Sequence, residues 1–119
     1  MKAILLVSHG SRSDLTRIEV ESLVAALKRH TNFLIFEYAF LEVSLPDIPA
    51  GLRTCVAKGA TDVIVLLNFL NSGRHVNGDI PLIVEEARQK HPAVNFRISQ
   101  PVGQHPDIVN IFIDLIEHA

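Results

Sequence analysis

The strongest constraint on the fold is a fourfold alternation of apolar segments with segments of helical periodicity. Each apolar segment is rich in β-branched residues and is followed by a stretch whose apolar residues recur at helical spacing. The apolar segments lie at about residues 2–8, 33–40, 62–68 and 94–99. Near-continuous apolar runs of this kind are typical of parallel strands that helices cover on both faces. The pattern predicts four βα units in a single α/β domain spanning residues 1–119.

Each predicted helix carries one apolar stripe, which we expect it to bury. Prolines fall at or near the first helical turns, and Gly59 follows the second helix as a C-terminal cap. The stripe of the last helix consists of Ile108, Ile111, Phe112, Leu115 and Ile116. All four helices are therefore expected to pack against the sheet.

The simplest arrangement is a flavodoxin-like three-layer sandwich, in which four parallel strands take the order 2-1-3-4 with helices on both faces. Strands 1 and 3 are then neighbours, and the chain leaves them in opposite directions. This opens a crevice at their carboxyl ends, where such folds bind ligands. The segments leaving these strands, residues 8–12 and 68–79, are the least core-like parts of the chain. We expect the functional residues there.

Composition excludes several classes of function. The 119 residues include 11 basic and 13 acidic ones without long runs, so no electrostatic footprint for nucleic acid is present. No apolar run approaches the roughly 20 residues that cross a bilayer, and the short run at residues 3–7 fits a buried strand better than a signal peptide. We expect no membrane partner. One cysteine, Cys55, cannot form an internal disulfide, which favours a cytoplasmic location.

His9 and His75 are the strongest candidates for chemistry, because the predicted topology brings both to one crevice from distant parts of the sequence. Two imidazoles without thiolates suit a first-row metal such as cobalt, nickel, iron or zinc. Two protein ligands leave coordination positions open, as transient metal handling requires. The remaining histidines lie at predicted helix ends or in a turn and are expected to be structural: His30, His91, His105 and His118.

The residues beside the first histidine fit an anionic ligand. Arg12 and Arg74 flank the histidine pair, and guanidinium groups match the geometry of carboxylate or phosphate. An ordinary solvated role fits each arginine equally well. Ser8, Gly10 and Ser11 offer hydroxyl and backbone N–H donors at the start of the first helix, although the same residues also form a turn and a cap.

Four further residues have both a functional and a structural interpretation. Glu42 follows strand 2, so its carboxylate can accept protons near His9, or it is a solvated surface group. Asp79 is either a ligand or the cap of the third helix, and we expect the cap. Phe69 and Leu70 form either an apolar wall of the crevice or part of the core.

Five segments of the chain form an ordered set: Ser8-His9-Gly10-Ser11-Arg12, Phe40-Leu41-Glu42 with Pro46, Phe69-Leu70-x-x-Gly73-x-His75, Asp79-Ile80-Pro81 and Pro101-Val102-Gly103-Gln104-His105-Pro106. Together these segments resemble the short sirohydrochlorin cobaltochelatases of the CbiX type, which belong to the class II tetrapyrrole chelatases. The resemblance spans nearly the whole chain. Two positions depart from the family pattern: Asn68 stands where proline is common, and Arg74 where an apolar residue is common.

The resemblance implies a lyase that inserts a divalent metal into sirohydrochlorin, in cobalamin or siroheme biosynthesis. The metal, Co²⁺ with Ni²⁺ or Fe²⁺ as alternatives, is a substrate, and no tightly bound cofactor is expected. The implied metal ligands are His9 and His75, with a catalytic role for both and for Glu42; which group accepts the ring protons stays open. The implied assembly is a homodimer. The implied substrate-binding residues are Ser8, Gly10, Ser11, Arg12, Phe69, Leu70, Gly73 and Arg74.

Two other functions would use the same crevice. A non-enzymatic carrier of metal or tetrapyrrole would bind ligand without turnover. A phosphotransfer enzyme would phosphorylate His9 and hold phosphate with Arg12, although no GxxxxGK motif accompanies these residues.

Overall fold

The structure, a computed structural model, describes residues 1–119 and confirms the predicted βα alternation. Strand ends lie within two residues of the predicted positions. In chain order the elements are β1 (Lys2–Ser8), α1 (Asp14–Arg29), β2 (Ile35–Phe40), α2 (Ile48–Ala57), β3 (Asp62–Leu67), a π-helical turn (His75–Asp79), α3 (Ile80–Lys90), β4 (Asn95–Ile98), a 3-10 turn (Val102–Gln104) and α4 (Ile108–Glu117).

The four strands form one parallel sheet in the predicted order β2-β1-β3-β4. β1 lies between β2 and β3, and its last residues pair with the last residues of both neighbours: Ser8 with Phe40, and Val7 with Leu67. Because the strands are parallel, the loops that follow β1, β2 and β3 emerge at one edge of the sheet.

Helices cover the two faces of the sheet unequally. On one face α2 and α3 pack over the strands and form the larger core, whose members include Leu5, Val65, Ile48, Leu52 and Val84. On the other face α1 alone contributes buried residues, Val20 and Val24. They pack in a smaller core with Ile4, Leu6, Phe36 and Phe40.

Local sequence explains where the first two helices begin and end. The Ser13 hydroxyl accepts a hydrogen bond from the N–H of Leu15 at 3.2 Å, and the Asp47 carboxylate accepts one from the N–H of Ala50 at 2.9 Å. These side chains satisfy N–H groups that have no partner within the helix. Gly59, with φ +101°, follows α2 as predicted.

α4 contradicts the prediction that every helix buries its apolar stripe. None of its residues is buried, and its main contact is with the 3-10 turn. The helix projects from the sheet, which gives the chain a longest dimension of 48 Å against 32 and 29 Å. The radius of gyration is 14.7 Å, compared with about 13.5 Å for a compact chain of this length. None of the helices has both the length and the apolarity that a membrane crossing requires.

Cys55 tests the packing of α2 directly, because it is the only cysteine and its side chain is completely buried. Burial raises the pKa of its thiol to about 12, so the reactive thiolate is scarce at neutral pH. We expect a thiol reagent such as Ellman's reagent to leave the folded protein unlabelled and to label Cys55 as urea unfolds the chain. The neighbouring exposed position provides the control: in Thr54→Cys one thiol should react at once. Rapid labelling of the folded wild-type protein would contradict this packing.

Candidate metal site

The loop after β1 is held against the loop after β2 by the backbone and by one serine. The N–H of Glu42 donates to the carbonyl of His9 at 3.0 Å, so the pairing of the two strands continues into their loops. The Ser44 hydroxyl accepts from the N–H of Ser11 at 3.1 Å and donates to the carbonyl of Ser11 at 2.7 Å. His9 and Glu42 are therefore fixed side by side.

Gly10 permits this close approach. Its φ is +109°, and a Cβ atom at this position would lie 1.8 Å from the carbonyl oxygen of Glu42. Both the left-handed backbone and the lack of space exclude a larger residue. The observed contribution of Gly10 is thus to the position of the two loops, and its predicted contact with a substrate stays a prediction.

The loop after β3 is tied to β1 by a side-chain contact. The Asn68 amide donates to the Ser8 hydroxyl at 3.0 Å, and Ser8 is only 5% exposed. The observed role of Ser8 is therefore structural. Asn68, a departure from the family pattern, supplies the other half of the link.

His75 begins the π-helical turn that leads into α3, in which the N–H of Ile80 donates to the carbonyl of His75. π-helical turns occur often at functional sites. The Asp79 carboxylate lies 2.6 Å from Nδ1 of His75 and makes no capping hydrogen bond, so the prediction that Asp79 caps α3 is wrong. A carboxylate on Nδ1 fixes the tautomer and the orientation of the ring, and it leaves Nε2 free to bind a metal.

His9, Glu42 and His75 converge at the carboxyl edge of the sheet. Nε2 of His9 lies 3.1 Å from Oε1 of Glu42, and the two imidazole rings meet edge to face with centroids 5.7 Å apart. One potential ligand atom from each of the three residues lies within 4.8 Å of the other two. Their side chains are 40–52% exposed, so a ligand can reach them. Two nitrogens and a carboxylate oxygen suit a divalent first-row metal and leave further positions open.

Arg12 follows His9 by three residues in the chain and Arg74 directly precedes His75, and neither arginine has a carboxylate within 4.0 Å. Arg12 lines a shallow groove of about 450 Å³ at the start of α1, together with Ser11, Ser44 and Arg17. Arg17 was not among the candidates from the sequence, because it lies in the first turn of α1 and outside the loops that follow the strands. The groove brings two guanidinium groups next to hydroxyl donors, and Asp14 in the same lining lies 3.9 Å from Arg17.

The remaining predicted substrate residues differ in their environment. Phe69 is half-buried and packs against the larger core, as the structural interpretation of this residue predicts. Leu70 is exposed. The carbonyl of Leu70 accepts a hydrogen bond from the Gln104 side chain at 3.1 Å. Gly73 borders open space. Substrate contacts at these positions stay predictions.

A four-stranded parallel sheet of order 2-1-3-4, with imidazoles and a carboxylate converging at its carboxyl edge, defines a chelatase-like α/β protein. The particular family follows from the sequence: the CbiX family model matches residues 3–119, and the chain belongs to that family.

Individual relatives agree with this assignment. The chain is 32% identical to a sirohydrochlorin cobaltochelatase of Sulfolobus acidocaldarius over all of its own length and 93% of that protein. It is 33% identical to a chloroplastic sirohydrochlorin ferrochelatase of Arabidopsis thaliana over 98% of its own length and 52% of that protein. The chain spans between 36% and 45% of three other curated relatives.

One solved structure has the same fold and was determined with a metal. It is the sirohydrochlorin chelatase SirB from Bacillus subtilis subspecies spizizenii in complex with cobalt, which superposes with a TM-score of 0.89 at 29% identity. The match covers 98% of this chain and 50% of that one.

Gly10→Ala should separate the two loops that carry His9 and Glu42. We expect a loss of more than about 1 kcal/mol in the free energy of unfolding, measured by urea denaturation followed by circular dichroism. Gly73→Ala is the matched control, because no atom lies within 4 Å of the added methyl group. Equal stability of the two variants would contradict the close approach at Gly10.

Asp79→Ala should weaken metal binding by about 10- to 100-fold, because His75 loses the group that orients it. Calorimetric titration with Co²⁺ measures this change. Asp79→Asn retains an acceptor for Nδ1 of His75 and should lose less metal affinity. Glu85→Ala is the control: it removes an exposed carboxylate from α3 and should bind Co²⁺ as tightly as the wild type does. Wild-type affinity in Asp79→Ala would rule out the positioning role.

Proposed function

We propose that this protein is a sirohydrochlorin chelatase, a lyase that inserts Co²⁺ into its macrocyclic substrate. The observation that carries the proposal is the convergence of His9, Glu42 and His75, with one potential ligand atom each within 4.8 Å of the others, in a chain of the CbiX family. The chemistry requires a group of donors that captures a hydrated metal and then releases it. A half-exposed set of two imidazoles and one carboxylate meets that requirement.

The choice of cobalt rests on relatives that are named for this metal. One is the Sulfolobus acidocaldarius protein, to which the chain is 32% identical over its whole length, and others come from Priestia megaterium and Methanocaldococcus jannaschii. Further relatives are named for iron. Imidazole donors accept nickel and iron as well, so these ions are the competitors to compare.

Sirohydrochlorin carries many carboxylates, and the arginines near the cluster are suited to receive them. Arg12 and Arg74 have no carboxylate partner within the chain, and Arg17 shares a groove with Arg12. Guanidinium groups bind carboxylates through paired hydrogen bonds. This contact would hold the macrocycle over the histidines and fix its orientation.

The proposed mechanism assigns different tasks to the two histidines. His75 presents Nε2 to the metal because Asp79 engages Nδ1 at 2.6 Å. His9 faces Glu42 at 3.1 Å through Nε2, so metal capture there displaces the contact with the carboxylate.

As the metal moves into the ring, two pyrrole N–H bonds break while metal–nitrogen bonds form. Once the metal has left His9, this imidazole and the Glu42 carboxylate accept the two protons and pass them to solvent, to which both side chains are exposed. Metal positioning and proton removal are thereby combined at one edge of the sheet.

We also propose that the protein acts as a homodimer in the cytoplasm. Length supports the assembly: the chain spans half of the Bacillus chelatase chain, so a second copy would supply an equivalent of the remaining half. The buried, unpaired thiol of Cys55 agrees with a reducing compartment.

The test is the visible absorption of sirohydrochlorin mixed anaerobically with Co²⁺, Ni²⁺ or Fe²⁺, with and without catalytic protein. We expect multiple turnovers, fastest with Co²⁺. His9→Ala and His75→Ala should each lower the rate by about 100-fold or more, because each loses a metal ligand. The exposed helix-end variant His30→Ala is the control and should retain the wild-type rate.

The outcomes separate the alternatives. Binding of metal and macrocycle without turnover would show that the protein is a carrier and not an enzyme. Full activity in both single histidine variants would refute the assigned site.

A further inference from the structure

Val43, in the loop after β2, has a backbone conformation that a β-branched residue rarely adopts. Its φ is +72°, in the left-handed region that favours glycine. The N–H of Ser44 donates to the carbonyl of Glu42, two residues before it, at 2.8 Å. A three-residue turn that is closed by such a bond and has a positive φ at its centre is the rare, strained form of the γ-turn. We call residues 42–44 the Val43 turn.

Burial of the Val43 side chain does not offset this strain. Val43 is 63% exposed and belongs to neither hydrophobic core. A backbone conformation of this kind persists only where the surrounding structure imposes it, and such positions cluster at functional sites. Contacts on either side of Val43 must therefore hold the turn.

Hydrogen bonds on both sides of Val43 supply this constraint. Before it, the N–H of Glu42 donates to the carbonyl of His9 at 3.0 Å. After it, the half-buried Ser44 hydroxyl accepts from the N–H of Ser11 at 3.1 Å and donates to the carbonyl of Ser11 at 2.7 Å. The two bonds of this hydroxyl together contribute a free energy of the same order as the cost of a positive φ at a β-branched residue.

The Val43 turn decides where the Glu42 carboxylate lies. Oε1 of Glu42 is 3.1 Å from Nε2 of His9, and this side chain is half-exposed, so core packing does not hold it there. A change at Val43 to the negative φ that valine prefers would reorient the chain before Val43 relative to the chain after it. Ser44 could then stay on Ser11 only if Glu42 moved away from His9.

We propose that the Ser44 hydroxyl holds the Val43 turn in its strained form and thereby sets the Glu42 carboxylate beside His9 for metal capture. Ser44 is a positioning residue in this scheme, because it acts through the backbone and does not contact the metal. The turn orders Glu42 during folding, so the cost of ordering this ligand does not weaken metal binding. The inference rests on the proposed function, which assigns Glu42 to the metal.

The test is calorimetric titration of the full-length chain with Co²⁺ in variants of two neighbouring residues. Ser44→Ala should weaken binding by about 10- to 100-fold, as is usual for groups that orient a metal ligand. Ser44→Ala/Val43→Gly should recover most of this loss, because glycine adopts a positive φ without strain and can keep the turn without the hydroxyl. Ser44→Ala/Val43→Ala is the matched control: it removes the same valine side chain but retains Cβ, so its binding should stay weak.

Urea unfolding followed by circular dichroism gives a second readout that does not depend on the metal. Val43→Gly should have a higher unfolding midpoint than Val43→Ala, since only the residue with a Cβ atom is strained at a positive φ. The reverse order of midpoints, wild-type Co²⁺ affinity in Ser44→Ala, or equal affinity in the two double variants would each overturn the proposal and leave the proposed function standing. A wild-type protein that binds no Co²⁺ would overturn the proposed function and this role of Ser44 with it.

Discussion

The pairing of β1 with a parallel strand on each side is the constraint from which the site follows. β1 is buried from Ala3 to Ser8, and its hydrogen bonds to β2 and β3 fix the register of both neighbours. The three strands end together, and the backbone pairing runs on into the bond from Glu42 to His9. A group at the end of one strand is thereby set against groups that are distant in sequence. The loops that follow these three strands therefore carry the cluster at one edge of the sheet.

Much of the fold was predictable from the sequence because its causes are local or periodic. Continuous apolar runs gave the strands, helical spacing gave the helices, and the rule for neighbouring parallel strands gave the order that the sheet adopts. The same order brought His9 and His75 to one edge before any distance was known. Their roles in metal insertion remain proposals, because topology fixes proximity and not chemistry.

Two features escaped prediction for different physical reasons. Asp79 lies just before Ile80-Pro81 at the start of α3, a position that is typical of a helix cap. In the structure a π-helical turn from His75 to Asp79 precedes α3, and this turn places the Asp79 carboxylate against the imidazole of His75. A difference of one helical turn decides between the two roles. The failure at α4 is of another kind: the helix has the apolar side chains that its sequence indicates, but helical periodicity does not show whether the sheet covers them.

Two glycines that lie against a backbone carbonyl oxygen limit how this chain can vary. At Gly10 the obstructing atom is the carbonyl oxygen of Glu42, and at Gly103 it is the carbonyl oxygen of Leu70, 1.9 Å from a built Cβ. Every amino acid carries that oxygen. A substitution at Glu42 or Leu70 therefore cannot make room for a side chain at the glycine that it contacts. Paired mutations, in which a change at one residue compensates for a change at its neighbour, are excluded at both glycines. The loops around the candidate metal site can change their side chains while their main-chain contacts stay fixed.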